Sequence, residues 1–245
     1  WIYDEKSGHY ENRAREFGVS ACGWSWGAVF IDAELRGQYD LIVANGLHTG
    51  KSPASYWFPA GSVASTTSAV YENPLYWPPM GEKDWSGRQR PCFFHGDGKR
   101  FVNISESLGW TADRDTRSVA LIDLDNNGTQ DVLISAINGA LRLYKNIRVQ
   151  ENSWIGFSLL GPEGGYAVGA QLRLIYVDEK GRRLNRTQTV KFGNGFASQS
   201  DPRLVFGLGN GVPEAVSVRW PSGRISEKKG RMKVNEYLTI QDSGS

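Results

Sequence analysis

The sequence predicts an all-β protein, and three observations carry the prediction. Short alternating or wholly apolar runs bounded by Gly, Asn and Asp recur along the chain, among them WGAVFID, YDLIVAN, SVALIDLD, QDVLISAI, AQLRLIYV and AVSVRW. Helical periodicity is scarce. A shift of 91 residues lays Tyr3 on Phe94, Tyr10 on Phe101, Asn12 on Asn103, Gly18 on Gly109, Ile31 on Ile122, Asp32 on Asp123, Gly37 on Gly128 and Asp40 on Asp131 without a gap.

Each copy of this repeat reads as a strand, a tight turn (DEKSG or HGDGK), a second strand, a connection ending near Gly18 or Gly109, and then strand, acidic loop, strand. Four short strands in such a unit describe one blade of a β-propeller, or equivalent parts of two neighbouring blades. Two copies cannot close a ring that needs about four to eight blades. Open blades expose strand edges, so the missing blades are expected upstream of Trp1 or on a partner chain. The chain opens at Trp1 with no initiating Met, which fits a processed or incomplete product. Residues 1–150 are therefore read as a partial propeller. The stretch 47–91 is an insertion rich in Pro and aromatics, whose Tyr56, Trp57, Phe58, Tyr76, Trp77 and Trp85 are too apolar for a solvated linker and should pack on the propeller or on a partner.

Residues 151–245 read as about seven short strands joined by Gly-, Pro- and Asn-containing turns, the pattern of a β-sandwich or small barrel. In this half Phe206-Gly207-Leu208-Gly209 is expected to bring backbone close to backbone, and Trp220-Pro221-Ser222-Gly223 to end a strand in a turn. The charge also divides here. Residues 1–151 carry 15 basic against 18 acidic side chains, and residues 152–245 carry 13 against 8. Arg182, Arg183, Arg186, Arg224, Lys228, Lys229 and Arg231 lie on two C-terminal turns, where they could be solvated or could face an anionic polysaccharide, a lipid headgroup or an acidic protein. No nucleic-acid motif accompanies them. No window is long and apolar enough for a membrane span, and no export signal opens the sequence. Cys22 and Cys92 lack zinc-type spacing, and one bridge or two free thiols are both compatible with them.

The stretch DLDNNGTQD, residues 123–131, crowds carboxylates and amides onto alternating positions of a tight turn. Like charges that close repel unless a cation lies between them. Calcium takes six to eight oxygens, and Asp123, Asp125, Asn127 and Asp131 stand at loop positions 1, 3, 5 and 9, with the Thr129 carbonyl at position 7 and Gly128 for the sharp turn. A hairpin that only caps its own backbone needs fewer such groups. An EF-hand would require a Glu where Ile134 stands and helices on both sides, so the expectation is a Ca²⁺ site between strands. The first copy, DAELRGQYD, keeps Asp32, Glu34 and Asp40 but carries Arg36 in place of Asn127. A guanidinium cannot ligate a cation, so this loop is expected to be weak or metal-free, with an internal salt bridge standing in for the ion.

GWSWGAVFIDAELRGQYDLIVANG and RSVALIDLDNNGTQDVLISAINGALRLYKN resemble FG-GAP/VCBS repeats, the calcium-binding propeller blades also seen in integrin α-subunits. The downstream segments from NSWIGFSLLGPEGGYAVGAQLRLIYV through FASQSDPRLVFGLGN to AVSVRWPSGRISE and VNEYLTI resemble the ASPIC/UnbV domain of cartilage-acidic-protein-like proteins. The resemblance implies calcium ligands at Asp123, Asp125, Asn127, Thr129 and Asp131, and further blades upstream. It departs from the family pattern at Arg36.

Catalysis finds little support in the residues. His9, His48 and His95 are scattered through turns, and no nucleophile elbow, phosphate loop or reactive-cysteine signature appears. The expected function is a non-enzymatic, calcium-binding, extracytoplasmic module serving adhesion or a larger assembly. The alternative is a carbohydrate-binding or polysaccharide-active protein.

Overall fold

The computed structural model describes residues 1–137, 139–147 and 151–244. Strand is the dominant element, as expected. A hairpin of β1 (Ile2–Asp4) and β2 (His9–Glu11) opens the chain. Strands β3 (Ser25–Ile31), β4 (Asp40–Asn45), β5 (Cys92–Gly96) and β6 (Phe101–Asn103) form an antiparallel sheet in that order. Strands β7 (Thr116–Ile122), β8 (Asp131–Ala136) and β9 (Gly139–Tyr144) form a second antiparallel sheet.

The repeat and the sheets are out of phase. The four-stranded sheet takes β3 and β4 from the first copy and β5 and β6 from the second, so each copy contributes to two sheets. Strand alternation explains the packing. Along β3 the odd-numbered Val29 and Ile31 are buried while Phe30 is exposed. Val29, Ile31 and Ile42 meet Val119, Leu121, Val132 and Ile134 of the second sheet in one core, with Phe93 and Trp110 at its side. Where the chain leaves β4, Asn45 N–H donates to Thr116 Oγ1 at 2.7 Å and ties the two sheets together.

Insertion 47–91 is not simply irregular. It contains α1 (Trp57–Ala64), α2 (Ser68–Tyr71) and a 3₁₀ turn over Pro74–Tyr76. Pro59 lies in the first turn of α1, where a missing N–H costs nothing, and Ala60 and Val63 give it a buried side one turn apart. Two turns are too few for a helical period to be legible in the sequence. Tyr56 is buried with its ring edge-on to Trp85, as expected of the insertion's aromatics, whereas Phe58 is 84% exposed. Cys22 and Cys92 form a disulfide that fastens the connection before β3 to the start of β5.

The C-terminal half contains seven strands, β10 (Ser153–Leu160), β11 (Gln171–Val177), β12 (Arg183–Thr189), β13 (Leu204–Gly209), β14 (Val212–Arg219), β15 (Ile225–Lys229) and β16 (Tyr237–Gln241). They form sheets ordered β13-β10-β16 and β12-β11-β14-β15, and all neighbours are antiparallel except β10 and β16. Both sheets bury their inner faces on one core that includes Ile155, Phe157, Leu172, Leu174, Phe206 and Trp220. Among the described residues no helix is long and apolar enough to cross a membrane.

Candidate metal loop and interdomain joint

Ile122 pairs with Asp131 at the mouth of the acidic loop, as Ile31 pairs with Asp40 in the first copy, so both loops leave their strands in the same register. Asp123 accepts from Asn127 N–H at 3.1 Å and from Gly128 N–H at 2.7 Å. Asp32 accepts from Arg36 N–H at 3.0 Å and from Gly37 N–H at 2.8 Å. Leu35 and Asn126 both take positive φ, 53° and 57°, as do the glycines that follow them. One backbone design therefore serves both loops, and the side chains decide how the charge is matched.

In the first loop a cation is built in. Arg36 Nε lies 3.0 Å from Glu34 Oε2, and its Nη2 lies 3.2 Å from Asp40 Oδ1 and donates to Gly96 O at 2.6 Å. His95 Nδ1 is 3.0 Å from the same Asp40 oxygen. The guanidinium thus spans Glu34 and Asp40, the carboxylate pair that would otherwise face one another.

In the second loop the acidic groups look to different partners. Asp131 accepts from Asn146 N–H at 2.7 Å, Asn127 Oδ1 accepts from Thr129 N–H at 2.8 Å, and Lys145 Nζ lies 2.9 Å from Asp125. The hydrogen bond from Lys145 holds the Asp125 carboxyl below its ordinary value. The donor set suits calcium in kind, with three carboxylates, an amide oxygen and the Thr129 carbonyl, all hard oxygens on one turn. In this geometry the side-chain oxygens accept from backbone N–H groups and from Tyr237 or pair with Lys145. Among the described residues no three His, Cys, Asp or Glu side chains converge as a metal-holding group.

Both loops rest against the C-terminal half. Tyr237 O–H donates to Asp123 Oδ2 at 2.6 Å, and Arg203 Nη2 donates to Asp123 O at 3.1 Å while its guanidinium lies 4.2 Å from the centre of the Tyr237 ring. Burial, followed by the bond to Asp123, pushes the Tyr237 phenol up from its ordinary value. Trp154 covers Gly128, where a β-carbon would lie 2.1 Å from the indole. Beside the first loop Gly209 N–H donates to Leu35 O at 2.9 Å, and a β-carbon on Gly207 would lie 2.4 Å from Leu35 backbone atoms. The close backbone approach expected of FGLG is this contact. Arg186 Nη1 stands 3.7 Å from Asp32, whose carboxyl burial pushes up to about 6 against the pull of that arginine.

Asp123, Asp125, Asn127, Thr129 and Asp131 share one loop, and Asp32, Glu34 and Asp40 share the other, as the sequence expects. The partners that fix them were not foreseen. Trp154, Arg203 and Tyr237 sit on distant elements, Tyr237 being 114 residues from Asp123, and no local spacing signals such a contact, while Lys145 follows β9, the strand paired with β8. The basic C-terminal turns prove largely matched by carboxylates: Arg182 pairs with Asp178 at 2.7 Å, Arg183 with Glu214 at 3.1 Å, Lys229 with Glu227 at 3.6 Å, and Arg224 with Asp242.

Part of the C-terminal half matches a known family. The family described as ASPIC and UnbV matches residues 162–245, which run from just after β10 to the end of the chain. Cartilage acidic protein 1 of Xenopus tropicalis is 27% identical over 125 residues, covering 49% of this chain and 19% of that protein. The proteins of the same name from Mus musculus and Homo sapiens are each 25% identical over 122 residues, covering 48% of this chain and 18% of theirs. The matched stretch thus spans less than a fifth of the length of these curated relatives.

Proposed function

We propose that this chain is a non-enzymatic, extracytoplasmic interaction module, part of a larger β-propeller to which the C-terminal β-sandwich is fastened through the acidic loops. The observation that carries this reading is the β1–β2 hairpin. By the 91-residue repeat it corresponds to β5–β6, which is completed by β4 pairing Leu41 with Phe94 and Ile42 with Phe93. The hairpin has no such neighbour among the described residues, and Trp1, Tyr3 and Tyr10 are 80%, 51% and 67% exposed. At the other end β9 pairs only with β8 among the described residues, and Leu141 and Leu143 are exposed. Unfinished sheets with apolar surface call for strands from upstream blades or from a partner protein. The disulfide favours an oxidising compartment, secreted, periplasmic or at the cell surface.

In this reading the second loop takes Ca²⁺ through Asp123, Asp125, Asn127, Thr129 and Asp131, while Arg36 supplies the charge of an ion to the first loop. Calcium there neutralises the carboxylates and stabilises the folded state by mass action. Thermal unfolding with calcium and with chelator tests it. The wild type should melt higher with calcium and Asp125→Ala should not respond, whereas equal midpoints for the wild type in both conditions would remove calcium from the account. The intact mass of the native particle tests the ring: a lone globular chain of 27.2 kDa would refute it.

A further inference from the structure

A second feature stands apart from the loops' ligand chemistry. Between the first sheet and the C-terminal half runs a cleft of about 450 Å³, inside the range of small-molecule sites. Phe30 on β3 and Tyr39 just before β4 line one side of it, with ring centres 6.2 Å apart. Gln188, Lys191 and Asn194 line it from the C-terminal half, and the buried Asp32 lines it as well. The two rings are 58% and 39% exposed, a poor placement for apolar faces in a recess unless something covers them.

The partners already present narrow what that something is. Aromatic faces beside a carboxylate attract a cation, but Arg186 fills this role from within, 5.5 Å from the centre of the Tyr39 ring and 3.7 Å from Asp32. Gln188 donates through Nε2 to Val205 O at 2.7 Å and lies 3.5 Å from the Tyr39 hydroxyl, which closes this edge of the cleft, and Asn194 donates through Nδ2 to Ser200 Oγ at 3.0 Å. Each amide keeps its carbonyl oxygen as an acceptor. Lys191 adds donors and makes no ion pair among the described residues. Ring faces, neutral acceptors and a few donors, with the local carboxylate already matched, suit a ligand with one apolar face and a rim of hydroxyls. We infer that the cleft lined by Phe30, Tyr39, Gln188 and Asn194 binds a neutral oligosaccharide, one sugar stacking on the Phe30 and Tyr39 rings while its hydroxyls bond to the free carbonyl oxygens of the Gln188 and Asn194 amides. The site needs no metal, so it stands or falls apart from the calcium reading. Its walls are held by the same joint that anchors Leu35 and Asp32.

The intact chain is to be titrated with cellohexaose, maltohexaose, laminarihexaose and mannohexaose, and with hexagalacturonate as the acidic counterpart, by calorimetry and by saturation-transfer NMR. At least one neutral sugar should bind saturably, and Tyr39→Ala and Phe30→Ala should each weaken it about fivefold or more with the melting temperature retained. Phe30 is the more exposed ring, so its variant serves should Tyr39→Ala fail to fold. Binding of hexagalacturonate alone, no saturable binding of any neutral sugar, or binding undiminished by both substitutions would overturn the assignment.

Discussion

The indole of Trp154 lies directly on Gly128, at the turn of the acidic loop, so close that a β-carbon there would stand 2.1 Å from the ring. Gly128 also takes φ of 86°, a conformation side-chain-bearing residues resist. Packing and backbone therefore demand glycine for separate reasons. Gly128→Ala should lower unfolding free energy by about 3 kcal/mol or more in urea denaturation. Relief by a second change, Trp154→Ala, would place the cost in the joint, and an unaffected Gly128→Ala would show that the contact is not made in solution.

Tyr237 separates hydrogen bonding from packing at the same place. Its hydroxyl is one of the donors to the buried Asp123, while its ring meets Trp154 at 5.0 Å and carries Arg203. Tyr237→Phe keeps both ring contacts and removes only the donor to a charged acceptor. A loss of about 2 kcal/mol is expected in urea melts. Tyr237→Ala should cost clearly more, and equal losses for the two variants would mean that the ring contributes nothing.

Arg36 offers a test of what the two loops share. Removing it leaves Asp40, fully buried, with only His95 and backbone N–H donors, and breaking a buried pair on one side costs about 3 kcal/mol. Arg36→Asn gives the first loop the side-chain pattern of the second. Should calcium serve the second loop, this variant should recover part of its lost melting temperature when calcium is added, and Arg36→Ala should recover less. A calcium response identical in the two variants would deny that the loops are chemically equivalent.

Strands, repeat and acidic loops were legible in the sequence because each depends on neighbours a few residues away. Alternation along β3, the Asp–Gly spacing of both loops and the salt bridge from Arg36 are all local. What could not be read arises between distant elements. Nothing near Trp154 or Tyr237 announces that they will cover a loop about 30 and 114 residues earlier, because any apolar strand residue could have stayed in its own core. Two partners of the basic turns were likewise out of local reach, since Glu214 lies on β14 and Asp242 follows β16, whereas Asp178 stands only four residues from Arg182 in the same turn.

The disulfide closes a loop of 70 residues around the whole insertion. In the chain-entropy account a bridge of that span constrains the unfolded state by about 4 kcal/mol. Cys22→Ser with Cys92→Ser should thus lose several kcal/mol in urea melts at unchanged sheet content by circular dichroism. A loss below about 1 kcal/mol would indicate that the insertion orders itself through Tyr56 and Trp85 without the bridge.

Asp32 makes pH the last probe of the joint. Its carboxyl sits near 6 when folded against an ordinary 3.8, because burial outweighs the help of Arg186 and of the Arg36 and Gly37 N–H groups, while Asp40 pushes the same way as burial. A carboxyl raised on folding binds its proton more tightly in the native state, so it weakens the fold above pH 6 and stops doing so as pH falls toward 4. This group alone should add up to about 3 kcal/mol on that descent, opposite in sign to an ion-paired carboxylate such as Asp113, which Arg142 holds down. Carboxyl-carbon NMR should find the Asp32 midpoint near 6 in the wild type and higher in Arg186→Met. A wild-type midpoint below about 4.5 would mean that the Asp32 carboxyl is hydrated and not buried as it stands here.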